Sequence, residues 1–190
     1  FALDAAIIFS DILIPCEALG MDLFFSDNSG PQFKNPIRNS KDLERLSPFN
    51  AQSKTPYVFD SIKKVNTALD NQIPLLGFAG APFTLATYMV EGKTSKQFIE
   101  IKKFLYQYPD TAKKLLTLLS DTIAKYLRAQ INAGVHAIQL FDSWGGILAA
   151  DEFEQYSLPY IQNIFSSLKD IDIPKILYVN NSHHLLSLQK

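Results

Sequence analysis

Apolar runs of strand length alternate along this chain with longer stretches of helical period. Ala5 to Phe9 is an unbroken apolar run between Asp4 and Ser10-Asp11, the profile of a buried strand. Leu23-Phe24-Phe25 is a second short run, closed by the turn cluster Ser26-Asp27-Asn28-Ser29-Gly30-Pro31. From Thr55, placed as N-cap before Pro56, the residues Val58, Ile62, Val65 and Leu69 recur at helical spacing and form one apolar stripe. Leu75 to Phe78 predicts the next strand, closing in Ala79-Gly80-Ala81-Pro82. A helix capped by Thr94 or Ser95 reaches about Tyr106. A longer one, capped by Asp110, carries Leu115, Leu119, Ile123 and Leu127 on one face and stops at Gly134. His136 to Phe141 predicts a strand that ends in Asp142-Ser143-Trp144-Gly145-Gly146. Asp151 and Glu154 have the spacing of a capping box for a helix towards Leu168, and Ile176 to Val179 predicts the last strand.

Continuous apolar strands alternating with helices imply a parallel sheet covered by helices. A closed (β/α)8 barrel takes about 250 residues, and this chain of 190 offers four clear strands and one doubtful one. The expected fold class is therefore α/β, a partial (β/α)8 TIM barrel. Residues 1–190 are expected to form an internal part of a single barrel domain, without its N-terminal and C-terminal portions. A small open α/β sheet is the alternative. Polar and small residues gather just after the strands, at Ser10-Asp11, Gly80-Ala81-Pro82 and Asp142-Ser143. Ligands sit at that end of α/β sheets, although any loop also begins there.

Composition narrows the function classes. Hydrophobic residues make up 47% of the chain, ample for a packed core and incompatible with disorder. Eighteen basic residues against nineteen acidic ones leave a net charge of −1, so no basic excess is available to neutralise a phosphate backbone, and nucleic acid is not an expected partner. No apolar run reaches the ~18 residues of a membrane span. The opening Phe1-Ala2-Leu3-Asp4 lacks a signal peptide's basic region, so the expected location is cytoplasmic, off the membrane. The single cysteine, Cys16, has no partner for a disulfide or a cysteine zinc cluster and reads as a small apolar packer. Asn180-Asn181-Ser182 matches a glycosylation sequon, a pattern common by chance.

Three strings together carry a family resemblance: LDAAIIFSDIL (Leu3 to Leu13), GFAGAPFTLATYMVEG (Gly77 to Gly92) and LFDSWGG (Leu140 to Gly146). Between them lie ALGMDLFF, a GPQF turn and FLYQYPD. This combination resembles the uroporphyrinogen decarboxylase family over nearly the whole chain, to about Pro174. The resemblance implies a (β/α)8 barrel, usually a homodimer, needing no metal or organic cofactor. The implied reaction removes carbon dioxide from the four acetate arms of uroporphyrinogen and gives coproporphyrinogen. It further implies that Asp11 is the central carboxylate facing the pyrrole N–H groups, catalytic as well as substrate-binding, and that Tyr88 and Ser143 belong to the substrate-binding set.

The residue types suit that chemistry. A pyrrole protonated at carbon is cationic and accepts the electrons released as carbon dioxide leaves, and a fixed carboxylate stabilises that charge where it develops. Tyr88 suits hydrogen bonding to a substrate carboxylate or to Asp11, and Ser143 suits a carboxylate arm. Phe9 and Phe141 precede Asp11 and Ser143 by two residues, on the same strand face; with Phe78 they suit the wall of an apolar macrocycle.

Each residue also has a plainer reading. Asp11 suits a turn cap, Tyr88 a boundary-packing tyrosine and Ser143 a turn serine; only the strings around them favour a site. Asp142 and Glu91 are not taken as a catalytic pair. Gly77-Phe78-Ala79-Gly80 lacks the spacing of a phosphate loop. His183-His184 is expected to be a solvated pair with diverging rings and no metal.

Two family features have no counterpart in these residues, an arginine-rich segment near the N-terminus and a C-terminal histidine. The stretch Leu177 to His184 also departs from the family's expected continuation. The 190 residues alone are therefore expected not to decarboxylate uroporphyrinogen at a useful rate. Two other readings stand beside this one. A zinc-dependent methyltransferase of the same superfamily needs His and Cys ligands at strand ends. A non-catalytic relative would bind tetrapyrrole or only pack as a subunit.

Overall fold

The computed structural model describes residues 3–26 and 30–189. In chain order, β1 (Ala6–Ile7) leads to α1 (Ile14–Ala18), followed by β2 (Leu23–Ser26) and β3 (Gly30–Phe33). Two short helices, α2 (Ser40–Leu43) and α3 (Ala51–Lys54), precede α4 (Pro56–Leu69), β4 (Leu75–Gly80) and α5 (Pro82–Glu91). Then come α6 (Ile99–Gln107), α7 (Pro109–Ala133), β5 (Ala137–Asp142), α8 (Ala150–Tyr156), α9 (Leu158–Ser167) and β6 (Lys175–Val179). Four strands form one all-parallel sheet in the order β1-β4-β5-β6. Parallel neighbours joined through helices are the repeating unit of a (β/α) barrel, and this sheet supplies part of one.

Strand parity sorts the side chains. Leu75, Ala79, Ile138, Leu140 and Val179 face the helices and are buried with their stripes, among them Leu115, Leu119, Ile123 and Leu127 of α7. The opposite face, where a barrel keeps its interior, stays open: Phe9 is 89% exposed, Ile7 48% and Tyr178 44%. The helical cover expected on the sheet therefore lies on one face only.

Several elements differ from their sequence pattern. The first strand is shorter than Ala5 to Phe9. Ile8 N–H still donates to Leu76 O at 2.9 Å, but the next ladder position is taken over by a side chain. Gln130, on the buried face of α7, accepts from Phe78 N–H at 3.0 Å and donates to Phe78 O at 2.8 Å. A parallel ladder would have drawn those two groups of β4 into bonds with β1. Gly77 leaves room for this approach, since a Cβ there would collide with the Gln130 amide oxygen and press on Val135. Released from pairing, the chain after Ile8 turns away and carries Ser10 and Asp11 to the sheet's end.

The run at Leu23 does not join the main sheet. β2 and β3 form an antiparallel hairpin with Leu23 opposite Phe33, and Asp27-Asn28-Ser29 of its turn lie outside the described residues. α4 begins at Pro56 as expected, but the Thr55 hydroxyl donates back to Ala51 O at 2.9 Å instead of capping it. α6 starts at Ile99, later than expected, with Ser95 Oγ accepting from Phe98 N–H at 3.0 Å. α7 starts at Pro109, with Asp110 in its first turn, where a carboxylate favours the positive end of the helix, and it stops at Gly134 (φ 112°). The helix predicted from Asp151 to Leu168 is two helices. Its first turn is closed by Glu152, whose Oε2 accepts from Ala149 N–H at 2.9 Å, and not by Asp151 and Glu154. The break falls at Ser157, where Pro159 lacks the N–H that a continuous helix needs.

Candidate functional site

The candidate site lies at the C-terminal end of β1, β4 and β5, where the chain leaves the sheet on its open face. Phe78 and Phe141 meet edge to face, with ring centroids 5.6 Å apart, and Tyr178 stands 5.7 Å beyond Phe141. With Ile7, Phe9, Ile12 and Ser143 the two phenylalanines enclose a hollow of about 210 Å³. Period-two alternation places Phe141 and Ser143 on this face and turns Asp142 to the other. The three phenylalanines suggested by sequence are thus brought together, with Ser143 beside them in the lining.

Asp11 and Tyr88 stand outside that lining. Asp11 Oδ1 accepts from Leu13 N–H at 2.8 Å, which fixes the turn into α1, the plainer role considered for it. Among the described residues Oδ2 has no hydrogen-bond partner, so the carboxylate is anchored by one oxygen and offers the other. Tyr88 projects half-buried from α5. Burial pushes its phenol up; the neighbouring Trp144 and Thr94 side chains counter this in part, and the negative charge of Asp11 adds to the rise. Its ring lies 6.0 Å from Trp144, which packs 4.9 Å from Phe98.

Behind the hollow lies a group that the sequence reading passed over. Asp142 is completely buried. Its Oδ1 accepts from the Thr84 hydroxyl at 2.7 Å and its Oδ2 accepts from the Ser157 hydroxyl at 2.6 Å. Burial holds its carboxyl above the ordinary aspartate value, and the two hydroxyls and the nearby Gly145 backbone offset only part of the rise. Thr84 in turn accepts from Trp144 N–H at 3.1 Å. One signal was available in the sequence: Asp142 shares the parity of Ile138 and Leu140, so a helix-facing carboxylate had to find donors there. The two glycines after Trp144 allow this close packing, because a Cβ at Gly145 would lie 2.5 Å from Asp142 Oδ2 and one at Gly146 would strike Asn180 O.

The remaining candidates resolve simply. Glu91 accepts from Ile101 N–H at 2.9 Å and holds the start of α6, while Asp142 is bound to the Thr84 and Ser157 hydroxyls. Cys16 is fully buried, and its thiol is pushed up by burial and by the charge of Asp11, the reverse of the lowered value that a metal-binding thiolate needs. The rings of His183 and His184 do not diverge: they lie 5.3 Å apart, and His184 Nε2 stands 2.9 Å from Leu148 O. Among the described residues no group of three or more His, Cys, Asp or Glu is placed to hold a metal ion, and no helix is long and apolar enough to cross a membrane.

Comparison with known proteins gives a consistent picture. The family described as "Uroporphyrinogen decarboxylase (URO-D)" matches residues 1–190, including the terminal stretch expected to leave the family pattern. A curated uroporphyrinogen decarboxylase from Syntrophotalea carbinolica is 45% identical over 97% of this chain and 53% of its own length. One from Myxococcus xanthus is 44% identical over 98% of this chain and 53% of its own. The chain thus spans about half the length of the curated relatives it matches. Among solved structures, a methyltransferase from Methanosarcina mazei superposes with a TM-score of 0.78 at 19% identity, over 97% of this chain and 53% of that one; at that identity the likeness is one of fold.

Proposed function

The chain belongs to the uroporphyrinogen decarboxylase family, and from that premise we propose that it forms the part of a uroporphyrinogen decarboxylase that cradles the tetrapyrrole and meets its ring nitrogens. The observation that carries this reading is the apolar hollow lined by Phe9, Phe78, Phe141 and Ser143, with a half-anchored Asp11 carboxylate in the turn between its lining residues Phe9 and Ile12.

In this reading an acetate arm loses carbon dioxide after its pyrrole ring takes a proton at carbon. The C–CO₂ bond breaks, its electron pair neutralises the ring cation, and the resulting methylene takes a proton to become methyl while the ring releases one. Asp11, held by Leu13 N–H, stabilises the cation through its free oxygen without having to move. Ser143 and Tyr88 donate to carboxylate arms. The macrocycle lies against the three phenylalanine rings. The working enzyme would need no metal or organic cofactor and would be a cytoplasmic homodimer acting on uroporphyrinogen and releasing coproporphyrinogen. The buried, protonated Cys16 thiol supports this reading over zinc-dependent methyl transfer.

The test has two arms. The purified 190-residue chain should bind coproporphyrin III, the stable oxidised form of the product, and quench its sole tryptophan, Trp144. In the gene product that carries this segment, anaerobic conversion of uroporphyrinogen should fall by about a thousandfold in Asp11→Asn, an electrostatic loss of the usual size. Full activity in Asp11→Asn would overturn the role of Asp11, and porphyrin binding without any turnover would favour the non-catalytic relative.

A further inference from the structure

Thr84 and Tyr88 lie one helical turn apart on α5 and therefore on one face. Both grip the loop after β5. Thr84 does so through hydrogen bonds with Asp142 Oδ1 and Trp144 N–H, and Tyr88 through ring contact with the Trp144 indole, the centroids 6.0 Å apart. Ser143 sits between the two gripped residues. Asp142, Thr84 and Ser157 are all fully buried, and none of them lines the hollow. A buried carboxylate held by two hydroxyls is costly to assemble and rigid once complete. Its bonds run to α5 and to the start of α9, so that both elements are tied to the end of β5 at this carboxylate.

We propose that Asp142 and Thr84 are positioning residues: they lock the Ser143–Trp144 loop onto α5, so that the Ser143 and Tyr88 hydroxyls are preset at the spacing the substrate's carboxylate arms require. The proposal rests on the function proposed above for Ser143 and Tyr88. Polarity of the bonds adds a detail. Thr84 spends its proton on Asp142 and uses its lone pair for the Trp144 backbone N–H. A hydroxyl is needed at position 84 because it must give and receive at once.

The experiment uses the full 190-residue chain. Thr84→Val keeps shape and burial while removing both bonds, and Thr84→Ser restores the hydroxyl. Because Trp144 is the only tryptophan, its fluorescence reports this loop alone. Thr84→Val should make Trp144 about twofold more accessible to acrylamide, with the circular dichroism unchanged, as expected for local loosening. Thr84→Ser should behave as the parent. Coproporphyrin III binding then separates positioning from general stability. Ser143→Ala should weaken binding in the parent about tenfold, the loss of one hydrogen bond to a charged group. The same change should do almost nothing in Thr84→Val, where Ser143 is already misplaced.

Additive losses, or an unchanged Trp144 in Thr84→Val, would overturn the proposal. Should the parent bind no porphyrin, the proposed function falls, while the Trp144 measurement still decides whether Thr84 holds the loop. Should Thr84→Val fail to fold, hydrogen exchange on the unmodified chain decides it: the Trp144 amide should be protected, and exchange at the rate of a free loop would refute the lock.

Discussion

Two carboxylates in this chain illustrate opposite answers to burial. Burial works to raise Glu152, but the Tyr106 hydroxyl at 2.7 Å, the Ala149 N–H and Lys102 outweigh it and hold the group below the ordinary glutamate value. Asp142, with neutral donors only, stays above the ordinary aspartate value. The stabilising contribution of Glu152 is present above the unfolded glutamate value and is lost as pH falls through its lowered folded one. For Asp142 the order reverses: the protonated group favours the fold, fully so below the unfolded aspartate value, and this is lost as pH rises through the raised folded one. In thermal melts across the acid range, the advantage of the parent over Glu152→Gln should shrink toward low pH, and its advantage over Asp142→Asn should grow. Slopes of the same sign would refute the assignment of either group. The capping role of Glu152 was hidden in the sequence because Asp151 is the better cap by residue type. Burial of Leu148, Phe153 and Tyr156 instead fixes where the helix begins.

At the scale of elements, the joint between α7 and β4 decides where β1 lets go. Gln130 continues the buried stripe of α7 three residues after Leu127, so its inward placement was legible. Its target was not, because nothing in the sequence marks Phe78 as a strand residue in want of a partner. Gln130→Leu keeps the volume and strands a buried N–H and a buried C=O, so it should cost about 2–4 kcal/mol in urea unfolding. A loss no larger than that of a surface substitution would mean that water or β1 re-pairs with Phe78. The hairpin of β2 and β3 was missed for a related reason. Leu23-Phe24-Phe25 has the composition of a sheet strand, and only its pairing with Gly30–Phe33 shows that it closes locally.

For the molecule as a whole, the parallel sheet, its order of strands and helices, and the placement of small polar residues at the strand ends were legible from hydrophobic spacing. Such spacing records burial directly. It records less about which face is covered, since a strand facing helices on one side and a barrel interior on the other reads as apolar on both. Asp11, Tyr88 and Ser143 came from the strings they lie in, and the hydrogen bonds of Asp142 and Thr84 that hold the Ser143 loop came only from the three-dimensional arrangement.

The open face has a consequence for how this chain behaves in a test tube. Ile7, Phe9, Ile176 and Tyr178 lie exposed on one side of the sheet, and β1 and β6 each pair along one edge only among the described residues. Unsatisfied edges beside an oily surface recruit other chains. Handled alone, the 190 residues should scatter light increasingly as they are concentrated, and Ile176→Lys, which places a charge beside the β6 edge, should suppress that growth without lowering the melting temperature. Clear solutions of the unaltered chain at high concentration would mean that the face is already covered. Colloidal behaviour is thus set by the same surface that shapes the hollow: what makes room for an apolar ligand also makes the chain gregarious.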